Sequence, residues 1–202
     1  MTLFLYRKYG FNLIPLKYGT KEPDISSWKI FQTRKIPLAD GQFDGRNIGV
    51  VTGSISQLMV IDVDGQQATE LFVFKLQSIS TLAEKTWTTY GVKTGKGYHF
   101  YYHVDFDVES SILAETDSGE IRVKGNGGYV LGAGSLHPNG KFYEGNNMPL
   151  QSLTKDEYSQ LLTLCKVCDS EITWEKTRTT DGCVMTSMAA ATHTDETRKQ
   201  EI

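Results

Sequence analysis

The stretch Leu58–Gly65, LMVIDVDG, ends an apolar run with two carboxylates that lie two residues apart. Successive side chains of a β-strand point to opposite faces, so Val60, Asp62 and Asp64 share one face. Two like charges held side by side repel each other and raise each other's pKa unless a cation lies between them. The stretch therefore predicts a strand whose acidic end meets a Lys or Arg side chain or a metal ion. The alternative is an ordinary solvent-facing Asp-Gly turn.

Length and composition favour one globular domain. The chain has 202 residues, of which 39% are hydrophobic, and this is enough to build a core. No apolar run approaches the ~18–20 residues of a membrane span, and the first ten residues lack the pattern of a secretion signal. Three cysteines, all late in the chain, do not make a disulfide framework. We therefore expect a cytoplasmic protein without a membrane partner.

The charge of the chain leaves a nucleic-acid partner open. The net charge is −3, whereas proteins that coat nucleic acid are usually strongly basic. Residues 1–61 nevertheless carry 8 Lys and Arg against 4 Asp and Glu, so one part of the domain is basic. The charge balance neither supports nor excludes a nucleic-acid partner.

Strand and helix patterns follow one another without a regular βαβ alternation. Helices are predicted at 2–9, 28–35, 66–79 and 153–168, and strands at 11–16, in two segments of 47–64, in a hairpin at 85–104 and in short pieces of 119–145. This order favours an α+β fold with a mixed, largely antiparallel sheet or sheets flanked by helices. We expect a catalytic domain over 1–175. From 176 to 202 the sequence is polar and Thr-rich, which predicts a flexible tail or linker.

A second candidate lies in the predicted hairpin, GKGYHFYYHV. Alternation places His99, Tyr101 and His103 on one face of the strand. A histidine just beyond a glycine turn can project toward a ligand; the alternative is a half-buried sheet histidine packed between tyrosines. Lys93 and Lys96 flank the turn and suit an anion. The turn does not match the Walker phosphate-binding motif.

The third candidate is GEIRVKGNGGYV, in which Glu120, Arg122 and Lys124 share a strand face. A carboxylate and two cations in one row suit a metal with phosphate, and they equally suit a cross-strand salt-bridge ladder. The following GSLHPNG carries Ser135 and His137 before a Pro-Asn-Gly turn, which could also be a plain hairpin turn.

The order of these segments is more specific than any one of them. GRNIGVVTG, VIDVD, TGKGYHFYY, EIR and GGYVLGAGSLHPNG follow one another, after IPLKYGTKEP and Trp28. Over residues 10–145 this series resembles the primase–polymerase (prim-pol) branch of the archaeo-eukaryotic primase superfamily. The resemblance implies a catalytic core that is similar to an RRM (RNA-recognition motif) fold.

The resemblance also implies roles for residues of this chain. Asp62 and Asp64 would coordinate Mg²⁺ or Mn²⁺, with Glu120, or Asp117 in its place, as the third carboxylate. His99 would contact the triphosphate of the incoming nucleotide. Further residues that would face or neutralise the nucleotide are Arg46, Asn47, Thr52, Gly53, Lys96, Arg122, Lys124, Ser135 and His137.

The expected function is that of a DNA primase/polymerase, a nucleotidyltransferase that makes and extends primers on single-stranded DNA from (d)NTPs. Partners would be the template and a helicase domain or another replication protein. Trp28 and the basic N-terminal residues would contact the template; these are Lys17, Lys21, Lys29, Arg34 and Lys35. Two alternatives remain open: a non-catalytic nucleotide- or DNA-binding initiator module, and a metal-dependent nuclease or phosphohydrolase.

We do not expect a zinc site. The potential ligands are Cys165, Cys168, Cys183 and His193. Their spacing matches no standard zinc module, and a C-x-x-C on a helix is more often a pair of buried thiols.

Overall fold

The computed structural model describes residues 2–37, 39 and 41–166. The elements in chain order are α1 (Thr2–Lys8), β1 (Asn12–Lys17), a 3₁₀ helix (Lys29–Gln32), β2 (Arg46–Val51), β3 (Leu58–Asp64), α2 (Gln66–Leu76), α3 (Ser80–Thr88), β4 (Gly91–Lys93), β5 (Gly97–His103), β6 (Ser111–Thr116), β7 (Gly119–Lys124), β8 (Tyr129–Leu131), β9 (Glu144–Gly145), β10 (Gln151–Ser152) and α4 (Lys155–Lys166). The predicted α+β class with antiparallel sheets and flanking helices is confirmed.

The larger sheet has seven strands and is built around β3. Its strand order is β6-β7-β3-β5-β4-β9, and β10 pairs with β5 as well. β3 lies antiparallel to β5 on one side and to β7 on the other, so all of its length is hydrogen-bonded within the sheet. In this register Asp62 lies opposite His99 and Arg122, and Asp64 lies opposite Gly97 and Glu120.

One side of β5 is covered by two short strands in succession. β4 pairs antiparallel with the Tyr98–Phe100 part of β5. β10, which comes after β9 in the chain, pairs in parallel with Tyr102 and His103. It supplies the only parallel pairing among the named strands of the described residues.

The smaller sheet contains β1, β2 and β8 and packs against one face of the larger sheet. Its side chains join Leu58, Val60 and Tyr101 in a first hydrophobic core. On the opposite face Met59, Ile61 and Val63 pack against α2, α3 and α4 in a second core. β3 therefore contributes alternate side chains to both cores, as the period of two in its sequence predicts.

The two strands predicted within 47–64 form as β2 and β3; they lie in different sheets and are joined by a single bridge between Gly53 and Leu58. Two local predictions were wrong. Residues 28–35 form only one 3₁₀ turn, and 85–88, predicted as strand, end α3 instead. The predicted tail at 176–202, and with it the possible zinc ligands Cys168, Cys183 and His193, lies outside the described residues. Within the described part of the chain, no helix is long and apolar enough to cross a membrane.

Candidate active site

The two carboxylates of β3 lie where the cover of the smaller sheet stops. Leu58 and Val60, earlier on the same strand face, are fully buried in the first core. The Asp62 side chain keeps 22% of its surface exposed, and Asp64 is half-buried. The acidic end of the strand thus emerges from the core while its backbone stays paired on both sides.

Asp62 is held between basic groups of the neighbouring strands. His99 Nε2 lies 3.3 Å from Asp62 Oδ1, and Lys124 Nζ lies 3.9 Å from Oδ2. Burial by itself raises the pKa of Asp62, but His99, Lys124 and Lys21 together outweigh it and lower that pKa. Asp62 is therefore an ionised carboxylate at neutral pH, with the His99 imidazole and the Lys124 ammonium group beside it.

The Asp64 carboxylate differs from that of Asp62 in having no hydrogen bond or ion pair with any described residue. The strands beside it carry glycines: a Cβ on Gly97 would lie 2.0 Å from the Val63 carbonyl oxygen, and one on Gly119 would lie 1.9 Å from the Asp64 carbonyl oxygen. Only glycine permits so close an approach of the three backbones. These close backbones hold the acidic end of β3 in the sheet, with no partner for the Asp64 carboxylate among the described residues.

Tyr143 packs between the two predicted histidines. Its ring centroid lies 5.7 Å from that of His99 and 5.8 Å from that of His137. Burial, with a contribution from Asp62 and Asp64, raises the pKa of Tyr143. Tyr143 was not predicted from the sequence, because its place between the two histidines depends on packing between strands.

The glycine turn after β4 is locked to the turn that carries His137. His137 Nδ1 accepts a hydrogen bond from the Asn139 backbone N–H at 3.0 Å, and Asn139 Nδ2 donates to the Gly95 carbonyl at 3.1 Å. A Cβ on Gly95 would lie 2.6 Å from His137 Cγ. Burial, helped by Lys21 and Lys96, lowers the pKa of His137, so the imidazole is neutral at pH 7 and its Nε2 carries the proton.

His99 is buried, with 5% of its surface exposed, and its Nδ1 atom has no hydrogen-bond partner among the described residues. A buried ring nitrogen without a partner costs free energy unless a ligand or water satisfies it. His99 therefore presents both a carboxylate contact and a free polar atom.

Glu120 lies across from Asp64 but faces Arg122. Arg122 Nε lies 2.6 Å from Glu120 Oε1, and this ion pair raises the pKa of Arg122. The Nε–H direction does not meet the geometry of a regular hydrogen bond. The alternative ligand, Asp117, is exposed in the turn between β6 and β7. Among residues 2–37, 39 and 41–166, no three His, Cys, Asp or Glu side chains are arranged to hold a metal ion. The third carboxylate stays a prediction.

The chain matches one protein-family model over most of its length. The family model described as "Bifunctional DNA primase/polymerase, N-terminal" (Prim-Pol) matches residues 2–158. The chain belongs to the Prim-Pol family. The resemblance predicted for residues 10–145 is thus confirmed, and the match reaches from α1 into α4. No curated protein matches the chain closely enough to be named as a relative.

Asn47 and Ser135 of the Prim-Pol domain are buried, and their side chains form hydrogen bonds inside the protein. Asn47 is fully buried; its Nδ2 donates to the carbonyls of Thr20 (2.9 Å) and Leu136 (2.8 Å), and its Oδ1 accepts from Leu136 N–H. Ser135 Oγ accepts a hydrogen bond from Ile48 N–H at 2.9 Å. These contacts by themselves account for both residue types.

The remaining predicted residues lie at the two ends of β2. At its start, Arg46 Nε pairs with Asp24 at 2.6 Å. Past its other end, Thr52 Oγ1 donates to the Gly125 carbonyl and Gly53 N–H donates to the Leu58 carbonyl. Leu58 is four residues from Asp62 along β3, so Thr52 and Gly53 are not brought together with the carboxylates.

The side chains of the Prim-Pol site fit a divalent metal. Asp62 and Asp64 offer hard oxygen donors on one strand face, and Asp64 has no other partner in the described chain. Mg²⁺ is commonly held by one or two carboxylates together with substrate phosphates, so these two residues are a sufficient protein contribution. Glu120 would need to leave Arg122 in order to join them.

Proposed function

We propose that this Prim-Pol chain is a DNA primase/polymerase that performs template-directed nucleotidyl transfer with Mg²⁺ or Mn²⁺. The observation that carries the proposal is the carboxylate pair: an ionised Asp62 between His99 and Lys124, and beside it Asp64, whose carboxylate has no partner among the described residues. Asp62 and Asp64 would hold the metal. When bound, such an ion neutralises phosphate charge and makes a hydroxyl a better nucleophile.

The reaction joins one nucleotide to the 3′ end of a strand. The 3′-hydroxyl oxygen forms a bond to the α-phosphorus of the incoming nucleotide, the bond between the α-phosphorus and its bridging oxygen breaks, and pyrophosphate leaves while the hydroxyl proton is released to solvent. The protein forms no covalent bond in this step. Its contribution is to position the reactants and to stabilise charge that develops on the phosphates.

The basic and imidazole groups around the carboxylates suit the triphosphate. Lys96 is exposed on the glycine turn, and Lys124 and Arg122 lie on the same face as Asp62. His137, neutral with its proton on Nε2, can donate a hydrogen bond to a phosphate or sugar oxygen. The unpartnered Nδ1 of His99 is a second candidate contact.

The proposal extends to the surroundings of the enzyme. Its partners would be a single-stranded DNA template, (d)NTPs and a helicase domain or another replication protein, and it would act in the cytoplasm.

A specific observation favours a second candidate, the non-catalytic initiator module. Glu120 is paired with Arg122, so a third carboxylate is not ready for a metal.

The test is synthesis on an unprimed single-stranded DNA circle with labelled nucleotides, in Mg²⁺ and in Mn²⁺. Asp62→Asn and Asp64→Asn keep the side-chain shape but remove the charge, and each should lower the rate by about 10²–10³-fold or more. Asp105→Asn is the matched control, because Asp105 is exposed beyond the far end of β5 and its side chain makes no hydrogen bond within the described part of the chain. Glu120→Gln and Asp117→Asn in the same assay identify the third carboxylate.

The outcomes separate the candidates. New short strands that disappear in both Asn variants support the primase/polymerase. Unchanged synthesis by either Asn variant contradicts the site. Nucleotide binding without incorporation in any metal favours the initiator module, and loss of the template itself favours a nuclease.

A further inference from the structure

Two large aromatic side chains near the candidate active site are exposed to solvent. Tyr18 is 56% exposed and Phe142 is 52% exposed, and Leu136 between them is half-buried. We refer to Tyr18, Leu136 and Phe142 as the aromatic ledge. Trp28, by contrast, packs edge-on against Tyr129 at 4.8 Å between ring centroids and is half-buried, so its ring is less open to a ligand.

The ledge is built on loops that are tied together. Leu136 and Phe142 are antiparallel bridge partners. Gly19, next to Tyr18, lies so close to the same leucine that a Cβ there would be 3.8 Å from Leu136 Cδ2. The buried amide of Asn47 bonds to the carbonyls of both loops, at Thr20 and at Leu136. Rings held on tied loops lose little entropy when a ligand stacks on them.

The ledge is continuous with the candidate active site. Leu136 directly precedes His137, and Phe142 directly precedes Tyr143, so adjacent side chains of each segment serve the two surfaces. Tyr143 lies 5.8 Å from His137 and 5.7 Å from His99 between ring centroids, and His99 contacts Asp62. An extended polymer lying on the ledge would therefore need only a few of its own units to reach the carboxylates.

The lysines around the ledge are open to an anion. Lys21, Lys96 and Lys141 are exposed and form no ion pair with any described residue. Lys17 is different, because its Nζ pairs with Glu22 at 2.9 Å. Aromatic faces among free ammonium groups complement a polyanion that has exposed flat rings. Single-stranded nucleic acid has both features, whereas a duplex hides the faces of its bases.

We propose that the aromatic ledge binds single-stranded nucleic acid, with bases stacked on Tyr18 and Phe142 and phosphates on Lys21 and Lys141. This inference rests on the proposed function, since it names the surface along which the template strand enters the site. Stacking on aromatic side chains tolerates any base, as a template-reading enzyme requires.

The test measures binding without catalysis. A fluorescent oligothymidylate of about a dozen nucleotides, and the same strand with abasic positions, are titrated with the full chain in the absence of divalent metal, with fluorescence anisotropy as the readout. Replacing both rings (Tyr18→Ala with Phe142→Ala) should weaken binding of the normal strand roughly five- to hundred-fold per ring, the range that base stacking contributes. Tyr18→Phe with Phe142→Tyr keeps both rings and should bind within about twofold of the unaltered chain.

Two comparisons make the result specific. Phe74→Ala is the matched control, because Phe74 is 46% exposed on α2, across the larger sheet from the ledge. The abasic strand should bind the unaltered chain weakly. The double alanine variant should bind this strand no more weakly than the unaltered chain does. Thermal melting checks that each variant remains folded.

The proposal is overturned if the double alanine variant binds the normal strand as well as Phe74→Ala does. It is overturned equally if the unaltered chain does not discriminate between normal and abasic strands, or binds neither. Failure of the proposed catalytic function is seen separately. If the unaltered chain makes no DNA but the double alanine variant still loses binding, the proposed function fails and the ledge proposal stands. If the chain makes DNA equally well with and without the two rings, the ledge proposal fails and the proposed function stands.

Discussion

Asn47 is a residue whose role in this protein is explained by its buried hydrogen bonds. Its side chain makes three bonds to the loops at Thr20 and Leu136. Asn47→Ala should lower the free energy of unfolding by about 2–4 kcal/mol, because it leaves buried carbonyl and N–H groups without partners. Chemical denaturation measures the loss.

Gln160→Ala is the control for this change, because Gln160 is exposed on α4 and its side chain makes no hydrogen bond to any described residue. It should alter stability by less than about 0.5 kcal/mol. If Asn47→Ala left stability unchanged and weakened nucleotide binding alone, the nucleotide-facing role predicted from the sequence would be favoured instead.

Helices α3 and α4 are joined by an ion pair between Lys85 and Glu157. Burial alone raises the pKa of Glu157, but the bonds from Lys85 and Thr154 outweigh it and lower that pKa. A carboxyl with a lowered pKa in the folded state stabilises fully above its unfolded pKa of about 4.3, and this contribution is lost as the pH falls through the folded value. Glu157→Gln should therefore cost about 1 kcal/mol at pH 7 and less below pH 4.

Urea denaturation from pH 3 to 7 checks this pH dependence. Glu84→Gln is the matched control, since Glu84 is an exposed carboxylate of α3 that forms no ion pair with the residues that the structure describes. A cost for Glu157→Gln that stays constant over the whole pH range would mean that the charge of Glu157 does not stabilise the helices.

At the same scale, the strand faces could be predicted from the sequence and the strand partners could not. Alternation in LMVIDVD assigns Asp62 and Asp64 to one face because it depends only on neighbouring residues. The separation of β2 from β3 depends on pairing with β1 and β8, which are distant in the chain. The end of α3 was missed because Trp87 and the threonines near it favour strands locally. In the structure Leu82 and Thr86, four residues apart, are the buried residues of a helix.

Some of the candidate site was within reach of the sequence for similar reasons. The order of motifs pointed to Asp62, Asp64, His99 and His137. In the structure His99 contacts Asp62, and the Tyr143 ring packs between His99 and His137, so three of the four residues lie together. Neither the pairing of Glu120 with Arg122 nor the insertion of Tyr143 could be read from spacing, because each depends on side-chain packing between strands.

In the molecule as a whole, β3 joins the two hydrophobic cores. Leu58 and Val60 belong to the first core, and Met59, Ile61 and Val63 to the second. We expect the amides of Met59–Val63 to exchange with solvent only on global unfolding, and those of β6 and β9, at the ends of the sheet, to exchange earlier.

Native-state hydrogen exchange followed by mass spectrometry or NMR measures this order. β1 is the internal comparison, because it belongs to the smaller sheet alone. Exchange of the β3 amides at a lower free energy than those of β1 would show that the two cores open independently.

The short strand β10 has a consequence far from the carboxylates. It covers the backbone of Tyr102 and His103, which β4 does not reach. An uncovered length of strand is a template on which another chain can add by β-pairing. We therefore expect the two residues of β10 to protect this length of β5 from pairing with a second copy of the chain.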